Sequence, residues 1–421
     1  MCYVLAKILE YLGCQCLLVN NTNLFSLPVK MWNPDAVFYV TPGKTEKIIN
    51  HFLKAKLFLF SAEGSVGYKI SEAQIMLDKK KFDRLSRIYL WGRGQKKYLL
   101  EKFLENGGGD PTDFELKFKI AGNLRGDIIK YSNKDKDKGK ISVGFIGSYW
   151  IINSIKNRFN IFSYLFENRH NLRVWQDSSA QIKCLKIFSD IIDRLDSSKY
   201  IINYRPYPLE DRKVCSEVLS KANSGIKIDD SIDFSTWLAK QDVVISNGIT
   251  TTVSLMAIVR KPFINLTTLC GINLDIYKDR LPEQLIKLIS NNSPSRYEDL
   301  FKMLEAYDKY VFYDAETIDM FDELYSINYD GSAILKIAFD ILDELNCGRD
   351  STYTFSSNFR DLILESFNYI NLKYRKFRNR KNISNDYSFF IWEEIEAKVK
   401  SEFDQVVVAI LKDPKNQPFL R

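Results

Sequence analysis

Arg205 closes a short apolar run, Ile201-Ile-Asn-Tyr-Arg205, and leads into Pro206-Tyr207-Pro208. Further on, Asp242-Val-Val-Ile-Ser246 has the composition of a buried strand, and Asn247-Gly248 signals a turn. Thr250, Thr251 and Thr252 are suited to cap a helix running through Val253, Met256, Ala257 and Val259. Lys261-Pro262 stops that helix, and Phe263-Ile-Asn-Leu266 is the next strand. A strand, a small polar loop and a helix start make a natural phosphate site, because free backbone N–H groups and the helix dipole both favour an anion. Arg205 would bring a fixed fork of donors to the same anion. Tyr207 offers a phenolic donor but no positive charge at neutral pH. The plainer alternative is that strand–loop–helix units recur throughout α/β proteins and most bind nothing.

Other side chains invite the same weighing. Glu63, in Ser61-Ala-Glu-Gly64, follows an apolar strand, and the ends of parallel strands face the crevice where ligands bind. A carboxylate there suits a general base, or else it caps a loop N–H. Arg125 and Asp127, in Gly122-Asn-Leu-Arg-Gly-Asp127, either pair and shape an interdomain hinge or contact a substrate. Asp229 and Asp230 precede Trp237 near a helix start, where capping competes with recognition of a base or ribose. Lys373, Arg375, Lys376, Arg378, Arg380 and Lys381 fall together with Tyr374 and Phe377 between them and no acidic residue. Such a cluster is either a solvated helix face or a contact for anionic lipid headgroups or a lipid phosphate.

Composition narrows the classes. The chain has 421 residues, 45% hydrophobic and 14% aromatic, enough for two cores and a tail. A net charge of +7 from 60 basic and 53 acidic residues is too balanced to argue for nucleic acid. Seven scattered cysteines without a CxxC pair support neither a disulfide framework nor a zinc site, and they fit a reducing cytoplasm. Only His51 and His170 are present, which argues against a multi-histidine metal site or a Ser-His-Asp triad. No apolar stretch is long enough for a transmembrane helix, and Lys7 and Glu10 inside the opening segment speak against a signal peptide.

The elements that must position these residues alternate. Residues 1–12 predict a helix and Cys14–Val19 a strand, so the chain opens at or inside a helix, and the first domain is either trimmed or begun late. Strands follow at Ala36–Val40, Leu57–Phe60, Arg87–Trp91 and Lys117–Ala121, with helices over 44–55 and 97–104. Residues 130–140, KYSNKDKDKGK, are a charged linker. Ile141–Ile146 opens a new sheet with GFIGS, a weak nucleotide signal by itself. The run Leu172-Arg-Val-Trp175, a long helix over 182–195 and the Arg205 unit come next, with Asp330-Gly331-Ser332 capping a helix that ends near Leu345. Short connections between alternating strands and helices argue for parallel sheets covered on both faces.

In order, AEG, WGRGQ, GNLRGD, GFIGS, RPYP, SNGITTT and KP resemble the motifs of bacterial surface carbohydrate biosynthesis proteins of the GT-B glycosyltransferase type. Bacterial sialyltransferases and CDP-glycerol glycerophosphotransferases are wider kin. The likeness covers about residues 57–345. It implies an α/β, GT-B-like fold: two Rossmann-like domains, 1–133 on the acceptor side and 134–345 for the nucleotide sugar, with parallel sheets facing a cleft, and a helical basic tail over 346–421. It implies a metal-independent transferase without cofactor, moving a sugar from a CMP- or CDP-linked donor to a glycan or lipid-linked acceptor. Phosphate would sit on Arg205, Tyr207, Ser246, Thr250, Thr251 and Thr252, and Glu63 would be the base. The place would be the cytoplasm, peripheral on the inner membrane face. Three departures from the pattern stand out: Tyr207 replaces the usual His, Ala62 the first acid of the base motif, and Leu255 an acidic residue tied to ribose binding. They leave open a degenerate, non-catalytic module. A sugar-nucleotide epimerase shares the two-domain shape.

Overall fold

The computed structural model describes residues 2–18, 33–40, 42–61, 78–107, 109–132, 139–147, 149, 151–153, 161–207, 210–222, 226–231, 233–248, 253, 255–256, 260–277, 283–310, 315–325, 332–346 and 392–416. The chain opens with helix α1 (Cys2–Tyr11). Then come β1 (Ala36–Tyr39), α2 (Thr45–His51), β2 (Lys56–Phe60), α3 (Lys79–Arg84), β3 (Leu85–Leu90), α4 (Arg93–Glu105), α5 (Pro111–Lys117), β4 (Phe118–Ile120) and α6 (Leu124–Tyr131). Among the described residues, the first sheet has the order β1-β2-β3-β4, all parallel.

The second part runs β5 (Ile141–Ile146), α7 (Ile161–Glu167), α8 (Leu172–Arg194), β6 (Tyr200–Arg205), α9 (Arg212–Ala222), β7 (Ile226–Ile228), α10 (Phe234–Lys240), β8 (Val243–Ser246) and β9 (Phe263–Asn265). Its sheet has the order β7-β6-β5-β8-β9, again all parallel. Helices α11 (Thr267–Cys270), α12 (Glu283–Asn291), α13 (Tyr297–Glu305), α14 (Ala315–Tyr325), α15 (Ala333–Asn346) and α16 (Trp392–Lys412) follow. The two parallel sheets of an α/β architecture are thus present, and β5 starts at the expected residue.

Two local expectations are corrected. Cys14–Leu18 forms no strand. Leu172–Trp175 is the first turn of α8, which continues unbroken to Arg194. Residues 176–181, QDSSAQ, contain neither Gly nor Pro, so nothing interrupts the backbone ladder between the two predicted pieces.

Three cores hold the layers. One covers a face of the first sheet with α2 to α5, through Leu57, Leu59, Ile88, Phe103, Phe114 and others. A second covers a face of the other sheet with α8, α11 and α13. The third is shared: Phe58, Phe60 and Tyr89 of the first sheet, with Trp91 just past β3, join Val244 and Phe263 of the second through α1, α6, α10, α15 and α16. Helix α15 returns to the first sheet. Asp340 accepts the Tyr89 hydroxyl (2.7 Å), and Glu344 pairs with Arg87 (2.5 Å) and Lys56 (3.2 Å). Helix α14 lies on α4 so closely that a Cβ on Gly92 would stand 2.4 Å from the Leu324 carbonyl.

Candidate active site at the carboxyl edge of the second sheet

Register places the two main predicted groups in one row. Ile146 pairs with Arg205 on one side. On the other, Phe145 pairs with Ile245, so the next residue, Ser246, comes level with Ile146. Two inter-strand spacings separate Arg205 from Ser246, roughly 10 Å, and residues level across a sheet share a face. Ser246 in turn pairs with Asn265. Strand order reverses around β5, so this row lies at the carboxyl ends of strands beside a topological switch point, where open α/β sheets bind ligands.

The row is held by its own polar groups. The Arg205 Nη1 donates to the Asp229 carboxylate and to Ser231 Oγ (2.7 Å), and its guanidinium lies 5.7 Å from the Phe234 ring centre. Arg205 is therefore clamped to the loop after β7. Its Nε and Nη2 donate no hydrogen bond among the described residues, and the side chain as a whole is only 11% exposed. Ser246 Oγ accepts the Gly248 N–H (2.9 Å), and the Asn265 amide donates to the Gly248 carbonyl (2.7 Å). Tyr207 is exposed. Thr250, Thr251 and Thr252 lie outside the described residues. Leu255, in the helical stretch beyond them, is buried in the shared core and offers no ribose contact.

Beneath this row lies a group that sequence reasoning missed. Glu210 is fully buried and accepts from the Tyr149 N–H (2.7 Å) and the Tyr204 hydroxyl (2.6 Å), with the Cys215 thiol at 3.7 Å. Burial raises its carboxyl above the usual range, opposed by these donors. A Cβ on Gly147 would meet Tyr204 Oη at 2.4 Å and the Glu210 carboxylate at 2.8 Å. A Cβ on Gly144 would meet the Gln241 side chain at 2.7 Å and the Trp237 ring at 2.9 Å. Both glycines of GFIGS thus answer to side-chain packing. No local pattern marks Glu210, because its partners come from the loop after β5 and from β6.

The motifs of the first sheet form supports. Ser61 follows β2 immediately, just before the segment with Ala62, Glu63 and Gly64, which lies outside the described residues. Its carbonyl accepts Trp91 Nε1 (2.6 Å) and its hydroxyl accepts Gln95 Nε2 (3.0 Å), while Gln95 Oε1 accepts the Trp91 N–H (2.9 Å). WGRGQ is therefore the knot that fixes the strand end from which Glu63 departs.

In GNLRGD, Gly122 has φ +93°, and Asn123 caps α6 by accepting the Arg125 N–H (2.8 Å). Among the described residues no bond joins Arg125 to Asp127. Two residues apart on a helix they point to different faces, and the buried Asp127 accepts the Ile334 N–H (2.7 Å) at the start of α15. Capping by Asp229 and Asp230 is likewise corrected: Asp233 caps α10 through the Ser235 N–H (2.7 Å). Asp229 holds Arg205, and the exposed Asp230 meets Lys398 of α16 (2.7 Å), whose hydrogen bond lowers its carboxyl below the usual range. The cluster Lys373, Arg375, Lys376, Arg378, Arg380 and Lys381 lies outside the described residues. Among the described residues, no group of three or more His, Cys, Asp or Glu is placed to hold a metal ion.

No protein-family model matches the chain, and no curated protein matches it. Among solved structures the chain is similar to the wall teichoic acid polymerase TagF, at 13% identity over 71% of this chain and 70% of that one, with a TM-score of 0.45. It is also similar to a UDP-N-acetylglucosamine 2-epimerase, at 12% identity over 85% of this chain and 89% of that one, with a TM-score of 0.43. Likeness at this level says nothing of chemistry, which rests on the geometry of the row.

Proposed function

We propose that the chain is a metal-independent GT-B glycosyltransferase whose second sheet binds the phosphate side of a nucleotide sugar, CMP- or CDP-linked. The observation that carries this reading is the row at the carboxyl edge: Arg205 and Ser246 flank β5 at a switch point, and the Arg205 Nε and Nη2 donate to no described residue. Two phosphate oxygens match the edge those two donors form. With Tyr207 and the segment Thr250 to Thr252, it would stabilise the charge that grows on the leaving phosphate. Glu63 would take the proton of the acceptor hydroxyl, from the strand end that Trp91 and Gln95 fix. Residues 1–133 would serve the acceptor, 134–345 the donor, and 346–421 form a tail with the basic cluster.

Calorimetry with CMP, CDP, UDP and GDP tests the donor site. Binding of a cytidine nucleotide, weakened at least tenfold by Arg205→Ala, is the expected result. No binding of any of the four at millimolar concentration overturns it.

A specific observation favours a second reading, a degenerate module: the Asp229 carboxylate already engages Arg205, and Leu255 is a core residue. Glu63→Ala and Arg205→Ala in a cell that makes the polysaccharide separate the two, since unchanged polymer in both variants means no catalysis. A modified sugar nucleotide released without acceptor would mean an epimerase instead. A lipid-linked acceptor would be met at the inner face of the cytoplasmic membrane through the cluster Lys373 to Lys381, at about 1 kcal/mol per basic residue. Flotation with anionic liposomes should fall when the six basic residues become Gln, and equal flotation removes the membrane contact.

A further inference from the structure

We infer that Glu210 is a positioning residue for the nucleotide site: its buried carboxylate locks the loop after β5 to the loop after β6 and thereby sets where Arg205 and Tyr207 stand. The inference rests on the donor site proposed above and deepens it.

Five contacts make the lock. Glu210 accepts from Tyr149 N in the first loop and from Tyr204 Oη on β6. Its own N–H donates to the Tyr207 carbonyl (2.9 Å), which closes the RPYPLE loop on itself. The Gly147 N–H donates to the Arg205 carbonyl (2.8 Å), and the Asp211 N–H donates to the Asn153 carbonyl (3.1 Å). Two loops that leave neighbouring strands are thus joined from Gly147 to Asn153 and from Arg205 to Asp211, with Glu210 bonding to both. The candidate ligands Arg205 and Tyr207 lie inside the joined segment.

The chemistry of the group supports a role beyond filling space. Among the described residues no cation pairs with Glu210, and a buried carboxylate without one is costly. What a carboxylate supplies over an apolar side chain is two strong acceptor atoms at one point. Both are used, one on the backbone of the first loop and one on the tyrosine that precedes Arg205. The absence of a side chain on Gly147 is the matching half of the lock, since any Cβ there would strike both partners.

The experiment compares the wild type, Glu210→Ala, Glu210→Gln and Tyr204→Phe in the full chain. Hydrogen exchange at residues 147–153 reads the lock, and calorimetry with CDP reads the site. In Glu210→Ala, exchange at the Tyr149 amide should quicken at least tenfold, and the Kd for CDP should rise about tenfold or more. Glu210→Gln keeps an acceptor for that amide and should fall between wild type and Ala in both measurements. Tyr204→Phe removes one donor and should also be intermediate. If Glu210→Ala fails to fold, these two variants carry the comparison.

Unchanged exchange in a folded variant overturns the lock. Quickened exchange with an unchanged Kd overturns the positioning role. If the wild type binds none of CMP, CDP, UDP and GDP, the donor-site reading falls and the positioning role falls with it, while exchange still decides the lock; if it binds CMP but not CDP, CMP takes the place of CDP in the comparison.

Discussion

Gly147 shows how a single missing side chain is dictated. A Cβ on Gly147 would stand 2.4 Å from Tyr204 Oη and 2.8 Å from the fully buried Glu210 carboxylate, so there is no room for a methyl group. Gly147→Ala should therefore cost about 1–3 kcal/mol by overpacking, read from urea unfolding. Glu210 makes a second prediction, in pH. Its folded carboxyl is raised by burial, so the folded state holds its proton more tightly than the unfolded state does. Its contribution to stability is full below the ordinary value of 4.5 and is lost as pH rises through the raised folded value. The facing groups stay neutral across that window: burial pushes the Cys215 thiol up to about 12 and raises the Tyr204 and Tyr149 phenols well above their ordinary value. The stability of the wild type relative to Glu210→Gln should then decline from acid to neutral pH, and a constant difference would reject the assignment.

At the scale of elements, the GNLRGD and WGRGQ motifs act on helices far away in sequence. Asp127 gives α15 a cap from outside the helix, since it accepts a first-turn N–H that has no partner within α15. Asp127→Ala should lose about 1–2 kcal/mol, the usual worth of a cap, and leave a buried donor unsatisfied. Thermal unfolding monitored by circular dichroism checks this. Gly92 lets α14 approach the start of α4 to backbone contact. Helices α14 and α15, late in the chain, pack on α4 and on Arg87 of the first sheet.

At the scale of the molecule, the shared core is the controlling feature. Phe403, Val406 and Ile410 of α16 are buried with residues of α1, of α6 and of both sheets. Tyr3 donates to Asp404 (2.7 Å) and Tyr131 to Asp413 (2.7 Å), so both ends of the described chain are tied together. Separate cores would unfold separately, whereas a shared one couples the two sheets. Calorimetry should show one transition with equal calorimetric and van't Hoff enthalpies. Phe403→Ala, at about 3–5 kcal/mol for a buried Phe, should lower that single transition rather than one of two.

What the sequence by itself determined is local. Apolar runs of strand length located β2, β3, β5, β6 and β8, the charged stretch 130–140 separated two sheets, and Arg205 and Ser246 were recognisable as residues at strand ends. Each depends on a few neighbouring residues, so periodicity and turn signals suffice. Tertiary structure alone decided the rest. Strand order brought Arg205 and Ser246 into one row. Asp229 claimed one end of the Arg205 fork, Asp127 turned to α15 rather than to Arg125, and Asp233 took the cap expected of Asp229 and Asp230. Glu210 acquired its meaning from Tyr149 and Tyr204. Hydrogen-bonding side chains satisfy whichever partner burial leaves nearest, and burial is fixed by contacts between segments far apart in the chain, which no local pattern encodes.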